Sequence, residues 1–425
     1  MLRRPLEKDP ERRKILLVVP RLAVLGGGEA VAAWMLQALR EDYDLSVLTW
    51  TPSIAEDDIN RFYGTSLTTE DFRLLGPPPP LRALFDLLAR WNARHEFLKR
   101  CLLYRLTRRL KDRFDIMIAP TEELDFGRPG IQYVTFPGFV SAYLAEQRAI
   151  SQGWWPRNWG LLRQRLHPWR MLSGLSFEGI KKNLTLACSD WSGEAVHQLY
   201  GINTATLYPP VAVDFPKVAW EQRKNRFVCV GRFVAEKRLE LVIDILAAVR
   251  AQGYDLELQL IGLLWDDPAG RAYYHKVKCL AQKHATWVSL AENVDRQQVA
   301  EMISHSRYGI HASELEPFGI AVAEMIRAGC IAFTGRIGGQ AEIIGRDERL
   351  MFGTVDEGVR KIVAVLRSPE QQSALRDELA VRGTRFSSEQ FVGAIRKLVR
   401  QFHQDHSERS RVRAVPGARQ SDFHR

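Results

Sequence analysis

Three observations predict two doubly wound α/β domains for this chain. Apolar, strand-like runs alternate with amphipathic helical stretches along most of its length. The alternation stops at a Pro-Pro pair followed by a polar stretch, then restarts from a new strand. Glycine-bearing and charge-bearing loops follow strands in both halves, and open parallel sheets bind ligands at the carboxyl ends of their strands. With 425 residues, the chain is long enough for two or three domains, each with its own core.

In the first half, Lys14–Val19 reads as a buried strand, Glu29–Leu39 as a helix and Leu45–Trp50 as a second strand. Gly76-Pro-Pro-Pro-Pro80 reads as a stiff spacer before a basic helix over Leu81–Arg113. There Leu84, Leu88, Trp91, Leu98, Leu102, Leu106 and Leu110 recur at helical spacing. Short strands follow at Ile116–Ala119 and Gln132–Thr135, then an insert rich in Trp and Arg, then a strand over Leu184–Cys188. Ser189–Tyr200 reads as a helix capped by Ser189 or Asp190. These elements make a first domain over 14–208.

Tyr208-Pro-Pro-Val211 opens a linker over 209–225, and a second domain is expected over 226–383. Its strands are Phe227–Val230, Glu257–Ile261, Trp287–Leu290, Ile310–Ala312 and Ile331–Thr334. Its helices are Leu239–Ala251, Ala272–His284, Arg296–Ser304 and Gly319–Ala328. From Gln404 to the end (404–425) the sequence is polar and charged and is expected to be disordered.

Composition narrows the function classes. A hydrophobic content of 46% with 26% charged residues excludes wholesale disorder. No apolar run approaches the ~20 residues that span a bilayer, and the charged start, Met1–Lys14, carries no apolar signal core, so no secretory signal is expected. Cys101, Cys188, Cys229, Cys279 and Cys330 are scattered, which disfavours zinc and disulfide scaffolds and fits a reducing cytoplasm. The net charge of +10 is local: Leu81–Arg113 holds ten basic and three acidic residues, and Arg148–Lys182 seven and one. Both stretches read either as solvated helical faces or as a Trp/Arg face for an anionic membrane, on whose inner side the protein would sit peripherally. A nucleic-acid partner is set aside because no recognition motif accompanies the charge.

The loops carry the chemistry. After the first strand, Gly26-Gly27-Gly28-Glu29 runs into a helix, whose free N–H groups favour an anion. It has neither dinucleotide spacing nor the Gly-Lys-Ser/Thr of a P-loop. Val230-Gly231-Arg232 through Lys237 puts two cations around a glycine turn, able to neutralise a diphosphate without a metal. In Ser313–Glu324, Pro317 and Gly319 introduce a helix; Glu316 precedes it and Glu324 lies about a turn and a half inside. The two glutamates can face one cleft at different depths, one toward a sugar hydroxyl and one toward a ribose. In Thr334–Glu342 the pair Gly338-Gly339 opens another helix and offers further backbone donors. Asp42-Tyr43-Asp44 reads as a turn rather than a metal-binding D-x-D, and Asn183-Leu-Thr185 as an unused sequon.

These residues resemble the retaining glycosyltransferases of family 4, with the GT-B fold of two Rossmann-like domains facing across a cleft. The shared motifs are Gly231-Arg232 with Glu236-Lys237, Glu316 and Glu324 eight apart around Phe318-Gly319-Ile320, and Gly338-Gly339. Thr384–Phe391 resembles the start of the family's last crossover helix, here 384–403, returning to the N-terminal domain. The resemblance implies that a nucleotide-diphosphate sugar is a substrate, with no cofactor and no metal. It implies Arg232, Lys237 and Glu316 as catalytic residues, Arg232 and Lys237 on the diphosphate, Glu324 on the ribose, and Glu316 with the backbone after it on the sugar. It brings Gly27 and Gly28 to the reaction centre from the other domain. Weaker similarities to the mannosyltransferases that extend lipid-linked oligosaccharides lie in Gly26–Glu29, Asp125–Tyr133 and Gly309-Ile-His311; they imply GDP-mannose and a glycan or lipid-linked acceptor, as in polysaccharide biosynthesis. Thr135 stands where relatives carry a histidine on the acceptor side. His311 is grouped with it and within reach of the donor sugar, an ordinary core histidine being the other reading. The alternative function is a catalytically impaired nucleotide-sugar-binding protein of the same fold.

Overall fold

A computed structural model describes residues 12–22, 26–51, 53–89, 96–146, 159–264 and 267–414. The N-terminal sheet is built from β1 (Lys14–Val18), β2 (Asp44–Leu48), β3 (Phe72–Leu75), β4 (Ile116–Ala119), β5 (Ile131–Val134), β6 (Leu184–Ala187) and β7 (Ala205–Thr206). All seven run parallel in the order β3-β2-β1-β4-β5-β6-β7. Its helices are α1 (Gly27–Leu39), α2 (Glu56–Tyr63), α3 (Pro79–Ala89), α4 (Glu96–Arg109), α5 (Gly138–Glu146), α6 (Trp159–Ser173), α7 (Phe177–Ile180) and α8 (Asp190–Tyr200).

The second sheet holds β8 (Lys224–Val230), β9 (Glu257–Gly262), β10 (Val288–Glu292), β11 (Ser306–His311), β12 (Ile331–Gly335) and β13 (Met351–Phe352), parallel in the order β10-β9-β8-β11-β12-β13. Around it lie α9 (Leu239–Arg250), α10 (Pro268–Lys283), α11 (Arg296–Ser304), α12 (Ile320–Arg327), α13 (Gln340–Ile343), α14 (Val355–Arg367) and α15 (Pro369–Gly383). A last helix, α16 (Ser388–Ala414), crosses back to the N-terminal sheet. There Arg396 donates to the Ala38 carbonyl and pairs with Glu41, while Arg400 pairs with Asp42.

Side-chain alternation explains why β1 is covered on both faces. Ile15 and Leu17 pack with Val31, Met35, Phe391 and Ile395 of α1 and α16; Leu16 and Val18 pack with Phe97 and Leu103 of α4. In both sheets the strand order reverses beside the first strand, between β1 and β4 and between β8 and β11. Those reversals open the crevices in which ligands of such sheets bind.

Several expectations change. Of the helix expected over Leu81–Arg113, α3 and α4 are described and α4 ends at Arg109, short of Arg113; residues 90–95, including Trp91, lie outside the described residues. Pro79 and Pro80 are not a spacer but the first turn of α3, where a missing N–H costs nothing. Short α2 and edge strand β3 were not expected, because α2 buries only Ile59 and Tyr63, and β3 only Phe72. The helix expected to end at 403 continues to Ala414, since Glu, Gln and Arg are strong helix formers whatever their polarity; 415–425 lie outside the described residues. Asn183 is buried, donating to Leu124 O at 2.7 Å and to Gln132 Oε1 at 2.8 Å, so its side chain belongs to the fold.

Candidate functional site

The cleft is made by loops leaving β1 on one side and β8, β9, β10 and β11 on the other. Its cavity of about 290 Å³ is lined by Gly26, Gly27 and Tyr63 from the N-terminal domain, and by Gly231, Arg232, Lys237, His311, Glu316, Ile320 and Glu324 from the other. The helix starts of α1 and α12 therefore meet across it, each with backbone N–H groups that have no helical partner.

Glycine permits that approach. A Cβ on Gly27 would lie 3.1 Å from Ile320 Cδ1. Tyr63 fixes the loop before it: its hydroxyl accepts from Gly26 N at 2.9 Å and donates to Gly26 O at 3.0 Å. Gly28 faces Thr121 instead and does not line the cavity. Glu29 curls back so that its carboxylate lies over the start of α1, where burial raises its pKa and Arg21 and Arg232 oppose the rise.

On the opposite wall, Lys237 lies against Gly231 and donates to the Glu316 carboxylate. Burial alone would raise the Glu316 pKa, but the charges of Lys237 first and of Arg232 outweigh it and hold the group below the usual carboxylate range. His311 Nε2 stands 3.7 Å from Glu316 Oε2. Burial first, and the Lys237 charge second, push the His311 pKa down to about 4, so the ring is neutral. Glu324, 2% exposed, forms an ion pair with Arg296, which lines the same cavity.

The remaining expected residues shape the wall from behind. Gly319, at φ +103°, caps α12 in the left-handed region that favours glycine. Phe318 is buried between Tyr208 and Phe386, with ring centroids 5.7 and 5.5 Å away. The expected ligand-facing donors of Gly338-Gly339 are corrected: the Gly339 N–H is already donated to Glu316 O at 2.8 Å, and a Cβ on Gly338 would collide with that same carbonyl. The pair fixes the Glu316 loop rather than lining the cavity. Thr135 likewise lies off the cavity, its hydroxyl donating to Thr121 O at 2.9 Å.

One set of contacts was not read from the sequence. Glu342 of α13 accepts from Asp190 N at 2.9 Å and Trp191 N at 2.7 Å, so a carboxylate of one domain caps α8 of the other. Ser189 and Ser192 donate to the carbonyl of Pro317, the residue after Glu316. Gln340 and Glu342 sit in the stretch quoted for its glycines, and that nearness was their only signal. Arg296, separated from Glu324 by 28 residues, had none.

Residues 211–380 match the family model for glycosyl transferases, group 1. That stretch of the chain, most of the second domain, is similar to that family. Group 1 corresponds to the retaining family-4 enzymes, and the two facing sheets are the GT-B fold. The chain is 26% identical over 263 residues to the GDP-Man:Man(3)GlcNAc(2)-PP-Dol alpha-1,2-mannosyltransferase of Dictyostelium discoideum, across 55% of this chain and 51% of that one. It is 24% identical over 227 residues to an uncharacterized glycosyltransferase, YqgM, of Bacillus subtilis, across 51% and 60%. The chain thus spans about half the length of the mannosyltransferase it matches. Two solved structures share its fold at 14% identity: Anabaena HepE in complex with UDP and glucose (TM-score 0.62, 92% of this chain and 100% of that one) and sucrose-phosphate synthase from Thermosynechococcus elongatus (0.65, 93% and 100%).

Proposed function

We propose that this glycosyltransferase moves a hexose, with retention, from a nucleotide-diphosphate sugar to a glycan or lipid-linked acceptor, GDP-mannose being the favoured donor. The observation that carries this reading is the gathering of Arg232, Lys237, Glu316, Glu324 and the start of α12 on one wall, facing the start of α1. Negative charge grows on the departing diphosphate as the anomeric carbon becomes electron-poor. Fixed cations and backbone N–H groups aimed at that charge need no reorganisation during the reaction. Lys237, which pairs with Glu316, would turn to the diphosphate and leave Glu316 for the sugar; Glu324 would take the ribose beside Arg296. The curated mannosyltransferases support the choice of donor, and HepE, solved with UDP and glucose, supports a nucleotide sugar in general.

A thermal-shift panel of GDP-, UDP- and ADP-sugars tests the donor, because a bound ligand raises stability by mass action. A shift with GDP-mannose above the others is expected; no shift with any nucleotide sugar would overturn the reading. Thr135, whose hydroxyl is engaged by Thr121, favours a second reading as a nucleotide-sugar-binding protein without transfer. Binding without turnover on any acceptor pool would select it.

The acceptor side carries the proposed membrane face, with a peripheral place on the cytoplasmic side. Leu84 and Leu87 of α3 and Met171 of α6 are large exposed apolar groups, and Arg105 and Arg109 of α4 are exposed cations. No described helix is long and apolar enough to cross a membrane.

A further inference from the structure

His311 ends β11 with 2% exposure, yet its Nε2 is a buried nitrogen without a hydrogen-bond partner. The other ring nitrogen, Nδ1, is 2.6 Å from Gln340 Oε1. Which nitrogen carries the proton follows from Gln340. Its amide nitrogen donates to Ser313 O and Ile337 O, both at 2.8 Å, and only an NH₂ group can satisfy two carbonyls. The amide cannot turn over without setting its oxygen against those carbonyls, so Oε1 must face the ring and Nδ1 must be the donor.

Packing holds the amide there. Gln340 is fully buried, and a Cβ on Gly335 would come 2.9 Å from its Nε2 and one on Gly319 3.1 Å from its Cβ. A neutral imidazole has one N–H, so Nε2 presents a bare lone pair. Beside it, 3.7 Å away, is another acceptor, Glu316 Oε2. Lys237 donates to Glu316, and no side chain or backbone group donates to Nε2. Two adjacent acceptors repel the oxygens of a diphosphate and fit groups that donate, and the donating groups on a nucleotide sugar near this wall are the sugar hydroxyls.

We propose that His311, held as the Nδ1–H tautomer by Gln340, accepts a hydrogen bond from a donor-sugar hydroxyl next to the one held by Glu316. Gln340 is then a positioning residue and His311 a specificity-determining one. The inference rests on the nucleotide-sugar reading above and adds that the transferred sugar carries a free hydroxyl at this place. A deoxy or O-methyl sugar there would leave Nε2 buried without a partner, the situation that makes such sites selective.

The test uses the full chain with ¹⁵N-labelled histidine, the variants His311→Phe and Gln340→Met, and titrations with GDP, UDP, GDP-mannose and UDP-glucose. Side-chain ¹⁵N spectra of the wild type should show His311 protonated on Nδ1, and Gln340→Met should mix the tautomers. Both variants should bind the sugar nucleotide about ten- to a hundredfold more weakly and change affinity for the free nucleoside diphosphate by less than about twofold, the scale of one lost hydrogen bond to a buried partner. An Nε2-protonated ring in the wild type would overturn the inference. So would equal losses for sugar nucleotide and nucleoside diphosphate, or no loss in His311→Phe. If the wild type binds neither these four ligands nor any ADP-sugar, the nucleotide-sugar reading itself fails and takes the assigned ligand with it. Melting curves of the variants separate misfolding from lost contact, and His311→Phe keeps the test open should Gln340→Met not fold.

Discussion

Lys237 is the residue on which the proposed chemistry leans most, since its ammonium, paired with Glu316, is the cation proposed to pass to the diphosphate. Removing one preorganised donor of this kind costs about 2.7–4 kcal/mol, so Lys237→Ala should lower turnover roughly a hundredfold or more. Circular dichroism should show the same fold, and wild-type-like transfer would refute the role. His311 makes a separate, pH-dependent prediction. Its folded value near 4 lies below the ordinary 6.5, so the unfolded chain takes up a proton that the folded one refuses. Stability from this group is complete above pH 6.5 and is lost as pH falls from 6.5 toward 4. The span corresponds to about 3 kcal/mol. Urea unfolding at stepped pH should show that slope in the wild type and a flatter one in His311→Phe; identical slopes would contradict a neutral buried ring. At this scale the sequence was legible where spacing reported geometry, as with Glu316 and Glu324. It was silent on Arg296, whose partner depends on how α11 lies against α12.

Among the elements, α8 and α13 form the junction that ties the domains together beside the site. Two backbone N–H groups at the start of α8 reach the Glu342 carboxylate, which compensates the helix dipole as a capping acid would, but from another domain. Glu342→Ala should loosen the junction, seen as at least about tenfold faster amide exchange at Asp190 and Trp191, because hydrogen bonds to charged groups contribute roughly 1.5–3 kcal/mol. Glu342→Gln, which keeps one acceptor oxygen, should do less. Unchanged exchange in both variants would show that the cap contributes nothing. The start of α8 was legible from its cap Ser189, whose hydroxyl accepts from Ser192 N, whereas Asp267, Thr354 and Ser368 cap α10, α14 and α15 without having been read as starts. The end of α4 at Arg109 was not legible, since the leucine spacing persists to Leu110.

For the whole molecule, the net charge of +10 has a more exact distribution than composition implied. Part of the basic stretch points inward: Arg100 pairs with Glu122 and Arg108 with Asp125, both acids nearly fully buried. Arg105 and Arg109 remain exposed on α4, while Trp154 and Trp155 lie outside the described residues. Binding to anionic liposomes should therefore be salt-sensitive and modest. Arg105→Glu with Arg109→Glu should weaken it by at least about fivefold per residue, from ~1 kcal/mol for each basic group near the surface. Sedimentation at two salt concentrations reads the outcome, and binding indifferent to both salt and charge reversal would return this face to plain solvated surface.

The sequence by itself determined the two parallel α/β sheets and several of the loops that line the cleft, those of Gly26-Gly27, Gly231–Lys237 and Glu316–Glu324. Those follow from local pattern: apolar runs that bury strands on both faces, glycines where helices start close to other backbone, and cations and carboxylates just past strand ends. Only the tertiary structure decided which of these groups meet. Lys237 and Glu316, Arg296 and Glu324, Gln340 and His311, and Glu342 and the start of α8 are each brought together by parallel crossovers or across the domain junction. No local spacing encodes such pairs, because their contact depends on sheet order and on how the domains dock.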